Sequence, residues 1–388
     1  MDLPRTAGRA VRRVLVVNAG SSSLKLRFVE GGRATESVDL VADTGRVDDT
    51  ALRSALARLP RADAVGHRIV HGGRRFHGPV RLDDEVVTIL ESLLPLAPLH
   101  QGASLEAVRL VREERPDEVA VGCFDTGLFA DMPAAASTYA LPARWRERYG
   151  LHRYGFHGLS HGWSVRRVPE LLGRDEPVGR LVSCHLGSGA SVAAIASGRA
   201  VDTTMGFTPL EGLVMATRSG SVDPGLVTYL LRQGIGLEEL DDALERHSGL
   251  VALAGTGDMR TLLDRLETGE KAAEAALGVY LHHLVAGVAA MAAALGGLDV
   301  LSFTGGVGER AAEVRRRAAA RLSFLGVTLD EEANAALSGE GEVGAAGAAV
   351  RTVVVSARED LEIARLVESV LDQAGSFGSD ARGLGWRE

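Results

Sequence analysis

Four charged residues stand just after apolar runs in Gly-, Ser- or Thr-rich settings. They are Arg68 in GHRIVHGG (66–73), Asp125 in VAVGCFDT (119–126), Arg218 in ATRSGSVDP (216–224) and Glu359 just past TVVVSA (352–357). Three glycine turns also follow apolar runs, at 20–23, 187–190 and 304–308 (TGGVG). Backbone N–H groups gathered at such a turn hold an anion without a lysine. The third turn leads into a helix expected to begin near Glu309, and a helix N-terminus adds its own attraction for phosphate. Taken singly, a strand-end charge is usually just solvated and a Gly/Ser turn is usually a plain hairpin. Together, two arginines, two carboxylates and three such turns suit phosphoryl transfer. Arginines neutralise equatorial oxygens, and carboxylates hold Mg²⁺ directly or through water.

The elements that would position these groups come twice. Residues 15–34 read LVVNAGSSSLKLRFVEGGRA and residues 181–200 read LVSCHLGSGASVAAIASGRA. Aligned on Gly20 and Gly187, both give an apolar strand, a polar residue two before the glycine (Asn18, His185), a small-residue turn, a second strand and Gly-Arg-Ala. An internal repeat of this kind implies two related halves. The first half reads β-β-β-α-β-α-β, with strands at 14–18, 24–30, 33–40, 63–70 and 119–125 and helices at 48–59, 83–94 and 102–114. Residues 126–169 read as irregular. The second half reads β-β-β-α-β-α-β-α. Its strands are at 181–185, 191–197, 199–204, 299–304 and 351–356. Its helices run from about 224 to 298, with one interruption near 249–257, and over 309–322 and 359–371. The segment 338–349 reads as a flexible loop, and 1–12 and 375–388 as tails.

At 388 residues, two domains are expected. A formal net charge of −8 argues against a broad nucleic-acid surface. The two cysteines, Cys123 and Cys184, lie in apolar runs without CxxC spacing and read as buried thiols of a reducing compartment. The basic N-terminal stretch is not followed by an apolar run with a cleavage site, so no secretion signal is expected. Residues 275–298 carry no formal charge and are long enough for a bilayer. Their larger apolar residues, Leu277, Leu281, Leu284, Val285, Val288, Met291 and Leu295, keep helical spacing on one face, which favours a buried helix.

Two decoys are set aside. GLSHG (158–162) matches GxSxG, but a hydrolase elbow requires a buried strand just before it, and RERYGLHRYGF is charged and aromatic. Histidines crowd the middle of the chain, yet HExxH is absent and no pair has strong ligand spacing, so hydrogen-bonding roles are favoured over zinc. There is no GxxxxGK[ST] either.

Longer blocks carry a more specific message. NAGSSSLK (18–25), GHRIVHGG (66–73), LAPLH (96–100), FDT (124–126), RYGFHGLSH (153–161), CHLGSGAS (184–191), VDTTMGFTPLEGLVMATRSG (201–220), GDMR (257–260) and FTGGVGER (303–310) closely resemble the acetate kinase family. The resemblance runs from about residue 14 to 370. It implies an α/β fold of two duplicated actin-like (ribonuclease-H-like) domains with mixed sheets flanked by helices and the active site in the interdomain cleft. The implied domains are 1–127 plus 360–388, and 128–359. It further implies a cytoplasmic homodimer that transfers phosphoryl between ATP and acetate, with no nucleic-acid or membrane partner. The cofactor would be Mg²⁺, with Mn²⁺ as the alternative.

Carried over by position, Arg68, Asp125, His157 and Arg218 would be catalytic. Arg68 would also bind acetate with Val70, Leu99, Phe156 and Pro209. Nucleotide would meet His185, Leu186, Gly187, Ser188, Gly189, Asp258, Met259, Arg260, Gly305, Gly306, Val307 and Gly308. Asn18 and Glu359 would sit on the metal side. Ser21, Ser23 and Lys25 match the first phosphate-loop block, and His100 a further active-site histidine. Gln101, Ser188, Ala216, Ser221 and Arg310 differ from the family's usual residues. A carboxylate acceptor is already a nucleophile, so Asp125 is expected to position a metal or a basic neighbour and not to take a proton. The rivals are a propionate or other short-chain acyl kinase and a non-catalytic nucleotide-dependent regulatory module.

Overall fold

The alternating apolar runs form two six-stranded mixed sheets in the computed structural model. The structure describes residues 12–20, 23–42, 47–96 and 98–380, with backbone only for 98–100 and 374–380. Contacts divide the chain into two units, Met1–Gly127 with Glu359–Glu388, and Leu128–Arg358. Glu359 therefore joins the first unit.

In the first unit the strands are β1 (Arg13–Ala19), β2 (Ser23–Glu30), β3 (Arg33–Val41), β4 (Ala64–Ile69), β5 (Val80–Arg81) and β6 (Val119–Phe124), ordered β3-β2-β1-β4-β6-β5. β1, β4 and β6 are mutually parallel neighbours. Their near-continuous burial is that of strands covered on both faces. Leu15, Val17 and Val65 pack with Leu52, Leu56 and Val111. The Glu359–Asp380 helix covers the other face. A Cβ added at Gly66 would lie 2.5 Å from Ile363 Cγ2, so glycine is what lets this helix lie against β4.

His67, next to Gly66, is 1% exposed, and neither ring nitrogen has a hydrogen-bond partner among the described residues. Burial, with Arg112 adding, pushes its pKa down to about 3. Below pH 6.5 the unfolded chain takes up a proton that the folded chain refuses, so stability falls as pH drops from 6.5 towards 3. His67→Leu is expected to stabilise the protein by about 1 kcal/mol and to flatten that acid slope, read by melting temperature against pH.

The second unit repeats the plan. Its strands are β7 (Arg180–Leu186), β8 (Ala190–Ala196), β9 (Arg199–Thr203), β10 (Val300–Thr304), β11 (Gly341–Glu342) and β12 (Arg351–Val354), ordered β11-β12-β10-β7-β8-β9. Each sheet ends in a two-residue antiparallel strand, β5 or β11, and each second strand carries a register shift, at Phe28/Val29 and Ala194/Ile195. The repeat in sequence is thus a repeat of topology down to the irregularities.

Several readings change. The segment taken as irregular contains the Gly158–Leu171 helix, which local propensity hides behind Gly158, Gly162, Ser160 and Pro169. Burial of Leu159, His161, Ser164 and Val168 overrides that propensity. The stretch from 224 is five helices, and Gly249–Ala254, taken as the break, is one of them. Its first residue has φ +63° and stands where a Cβ would meet Met215 O at 2.3 Å, a close approach that glycine permits. The segment 338–349 holds β11. The helix after the third turn begins at Gly305, not Glu309, and breaks at Ala311 before Ala312–Arg321. The Lys271–Ala294 helix is long and apolar enough to cross a membrane by composition. In the structure it packs on β7 and β8 and buries Leu277, Leu281, Leu284, Val288 and Met291, while Val285 and Leu295 are half-buried.

Candidate active site

Each unit gathers part of the predicted set. In the first unit, parallel pairing sets Asn18, Arg68 and Asp125 side by side at the C-terminal ends of β1, β4 and β6, where open α/β sheets carry ligand sites. Arg68 donates from Nε (3.1 Å) and Nη2 (2.7 Å) to Asp125 Oδ2, and from Nη1 to Asn18 Oδ1 (3.3 Å). Asn18 Nδ2 donates to Glu359 Oε2 at 2.8 Å. The four residues form one hydrogen-bonded chain. Burial works against the Arg68 charge, but the carboxylates of Asp125 and Glu359 outweigh it and raise its pKa, so the guanidinium stays charged. Burial also pushes the Asp125 carboxyl upward against the pull of Arg68, with Glu359 adding to the push. Asp125 Oδ1 is buried and has no hydrogen-bond partner among the described residues.

Among the described residues no group of three or more His, Cys, Asp or Glu side chains is placed to hold a metal ion. The Asn18–Asp125–Glu359 set offers a different arrangement. It has two carboxylates, an amide oxygen and one orphaned buried oxygen. An all-oxygen set that supplies only part of a coordination shell suits Mg²⁺, which keeps waters and substrate phosphates as its other ligands.

Around this set, Val70 is buried just past β4. Lys25 is exposed on β2, opposite Asn18 in register. Ser23 opens β2, and its carbonyl accepts from Gly20 N at 2.8 Å, closing the first glycine turn. Ser21 lies outside the described residues, as do the side chains of Leu99 and His100 in the Pro98–Glu114 helix.

In the second unit the long turn between β7 and β8 is closed by Gly187 N donating to Gly189 O at 2.9 Å. A Cβ added at Gly189 would lie 3.2 Å from His157 Nε2 and 3.4 Å from Arg218 Nη1. Turn, imidazole and guanidinium therefore converge. Gly189→Ala crowds all three, and catalytic turnover is expected to fall about 10-fold with an unchanged melting temperature.

His157 caps the Gly158–Leu171 helix at φ 57°, a conformation uncommon for a residue with a side chain and one that clusters at functional sites. Its Nδ1 is 2.9 Å from Ser191 Oγ, which is in turn 2.9 Å from His161 Nε2. His161 Nδ1 is 2.9 Å from Ser183 Oγ. The His185 ring stacks on His157 at 4.3 Å, and its Nδ1 meets Ser160 Oγ at 2.7 Å. Burial, with His185 adding, lowers the pKa of His161 to about 3, so it is a neutral link. Ser160, the serine of GLSHG, is thus a histidine partner in a helix entered from a loop, and no hydrolase elbow forms.

Arg218 Nη1 lies 3.5 Å from Pro209 O and 3.8 Å from Met215 Sδ, and Nε lies 3.0 Å from Glu245 Oε2. Pro209 and Phe156 are buried. Burial lowers the pKa of Arg218, with Glu245 working the other way, and burial raises that of Glu245.

The third glycine turn lies beside the second, because Thr304 pairs with His185. Gly305 has φ +78°, and a Cβ there would meet Leu186 O at 2.8 Å. Gly306, Val307 and Gly308 continue as helix. Asp258 caps the Met259–Glu267 helix by accepting from Arg260 N (3.1 Å) and Thr261 Oγ1 (3.0 Å). Gly257 approaches Ala216, whose N–H donates to Ser188 O at 3.1 Å, so the GDMR block adjoins the second turn. Arg260 is exposed and Met259 buried.

Comparison with known proteins decides the family. The acetokinase family model matches residues 53–365. The chain belongs to the acetokinase family. Members similar to it include an acetate kinase of Synechococcus sp., 45% identical over 82% of this chain and 79% of that one, and an acetate kinase of Deinococcus radiodurans, 42% identical over 90% and 96%. Among solved structures, the acetate kinase of Porphyromonas gingivalis is 35% identical, covers 93% of this chain and 100% of its own, and superposes with a TM-score of 0.84. A propionate kinase from Francisella tularensis is 28% identical, covers 92% and 98%, and gives 0.82. The acetokinase fold and a kinase chemistry with a carboxylate acceptor are therefore those of this chain.

Two features of this acetokinase escape sequence reading. Ser160 and His161 lie in a recognised block, but their partners Ser183, His185 and Ser191 come from the two strands flanking the second turn. Glu245 sits in LEELDDALER among four other acids, and nothing local distinguishes it.

Proposed function

We propose that this chain transfers the γ-phosphoryl of ATP reversibly to acetate, giving acetyl phosphate and ADP by direct in-line displacement. The observation that carries the reading is the convergence of Arg218, His157 and the Gly189 turn in the second unit. Two anions must be brought together there, so the work is charge screening and alignment. Arg218 presents its Nη edge, and Arg68, held by Asp125 and Asn18, its remaining N–H groups, to carboxylate and phosphoryl oxygens. His157 donates a hydrogen bond to the phosphoryl oxygens, its other nitrogen held by Ser191. The acetate methyl is assigned to Val70, Leu99, Phe156 and Pro209. Nucleotide is assigned to the turns at 187–189 and 305–308 with His185, Leu186 and Asp258–Arg260. Asn18, Asp125 and Glu359 would hold Mg²⁺, which supplies positive charge to the phosphate oxygens when bound. Asp125 fixes Arg68 and takes no proton, because a carboxylate nucleophile has none to give up.

We assign residues 1–127 with 359–388 to one domain and 128–358 to the other, one residue from the boundary expected of the sequence. The protein is read as a cytoplasmic homodimer. The Pro224–Arg232 helix leaves Leu226 and Tyr229, neighbours one turn apart, exposed as an apolar contact for the second copy. A propionate kinase is the second reading, favoured by the likeness to the Francisella enzyme. One methylene is worth only about 1–3 kcal/mol, so overlap between the two acids is expected.

The test is acetyl phosphate formation from acetate, ATP and Mg²⁺, trapped with hydroxylamine, beside the same assay with propionate. Preference for acetate supports the reading. Preference for propionate moves the chain to the second. Nucleotide binding with no turnover of either acid leaves the regulatory module.

A further inference from the structure

Arg218 does not hold its orientation alone. The Leu237–Arg246 helix ends against the loop that carries it, with Ser219 N donating to Leu244 O (3.1 Å), Thr217 Oγ1 to Glu245 O (2.9 Å) and Ser248 N to Thr217 O (2.9 Å). These bonds deliver the Glu245 side chain to the Nε edge of the guanidinium, at 3.0 Å, with both side chains about 15% exposed. Both charge and hydrogen bonding tie the Glu245 carboxylate to the guanidinium. Nη1 is turned the other way, towards Gly189 and His157 Nε2. A planar guanidinium pinned through Nε has its Nη edge aimed by geometry alone.

We infer that Glu245 is a positioning residue for the transfer: its carboxylate clamps Arg218 by Nε so that the Nη edge faces the glycine turn and His157. The inference rests on the acyl-kinase reading for its effect on turnover, but not for the clamp itself. An anion so close to a substrate-binding cation opposes substrate binding in the ground state. It is useful only if orientation in the transition state matters more. The two effects therefore separate in the kinetics.

The experiment uses Glu245→Gln, which keeps the shape and removes the charge, and Glu245→Ala, which removes the contact. With acetate, kcat is expected to fall about 10-fold in the first and about 100-fold in the second, the scale of a misplaced catalytic group. The KM for acetate should stay level or fall, since the opposing charge is gone. A rise in KM with kcat kept, or both constants within two-fold of the parent, overturns the inference. A second readout needs no activity. Phenylglyoxal modification of Arg218, followed by peptide mass mapping, should be at least about three-fold faster in Glu245→Gln once the clamp is released. Equal rates overturn the clamp. If the parent makes no acetyl phosphate the proposed function fails, while the modification rates still decide the clamp.

Discussion

Arg218→Ala is expected to lower kcat/KM for acetate by about 10³–10⁵-fold, the range found where an arginine stabilises a phosphoryl-transfer transition state. The physical case is local. Arg218 is the cation that the second unit places beside both the Gly189 turn and the His157 imidazole. Burial already disfavours its charge, so the fold holds a desolvated guanidinium that Glu245 partly compensates. An anionic acceptor and an anionic phosphoryl group would lose their common screen with it. Lysine does not restore the function, since a point charge cannot grip oxygens in the two-pronged way, and Arg218→Lys should recover no more than about 10-fold. Hydroxylamine-trapped acetyl phosphate measures the loss. Retained nucleotide binding, by titration with ADP, shows that the unit still folds. Turnover within ten-fold of the parent would remove Arg218 from the chemistry.

Asp125→Asn should reduce kcat by about 10³-fold and weaken the apparent affinity for Mg²⁺, by the scale of losing one preorganised charged contact. Asp125 is 1% exposed, and a single oxygen, Oδ2, receives both N–H groups from Arg68. An asparagine can accept those bonds, but its NH₂ then occupies the place of the orphaned Oδ1 and offers donors where a cation or water would need an acceptor. The Arg68–Asn18–Glu359 chain keeps its shape while the charge changes. Asp125→Ala is a different experiment. It leaves Arg68 without its ion-pair partner and should cost about 3–5 kcal/mol of stability as well. A melting curve for each variant beside an Mg²⁺ titration of rate separates the two effects. An Asn variant with normal Mg²⁺ dependence would take Asp125 off the metal side.

Much of this was written in the chain. Strands buried on both faces declare themselves as apolar runs, and the echo of 15–34 in 181–200 foretells two sheets of one topology. Asn18, Arg68 and Asp125 could be singled out because a turn or charge directly after a buried strand lies at that strand's end whatever the rest of the fold does. Periodicity was less use for Gly158–Leu171, where glycine, serine and proline argue against a helix that burial imposes. It also failed at Gly249–Ala254, a short helix whose first glycine is chosen for a close backbone approach.

Contacts between distant segments follow a different rule. Glu245 and Arg218 are 27 residues apart, and Ser191 and His161 are 30 apart. Neither member of either pair has a neighbour in sequence that announces the other. Residue type and local spacing determine which groups are available and which strand end presents them. Which acid among five in LEELDDALER meets Arg218, and which hydroxyl holds His157, depends on how helices and strands far apart in the chain pack within one unit. That packing is fixed by burial of apolar faces, which carries no local signature of the polar contact it creates.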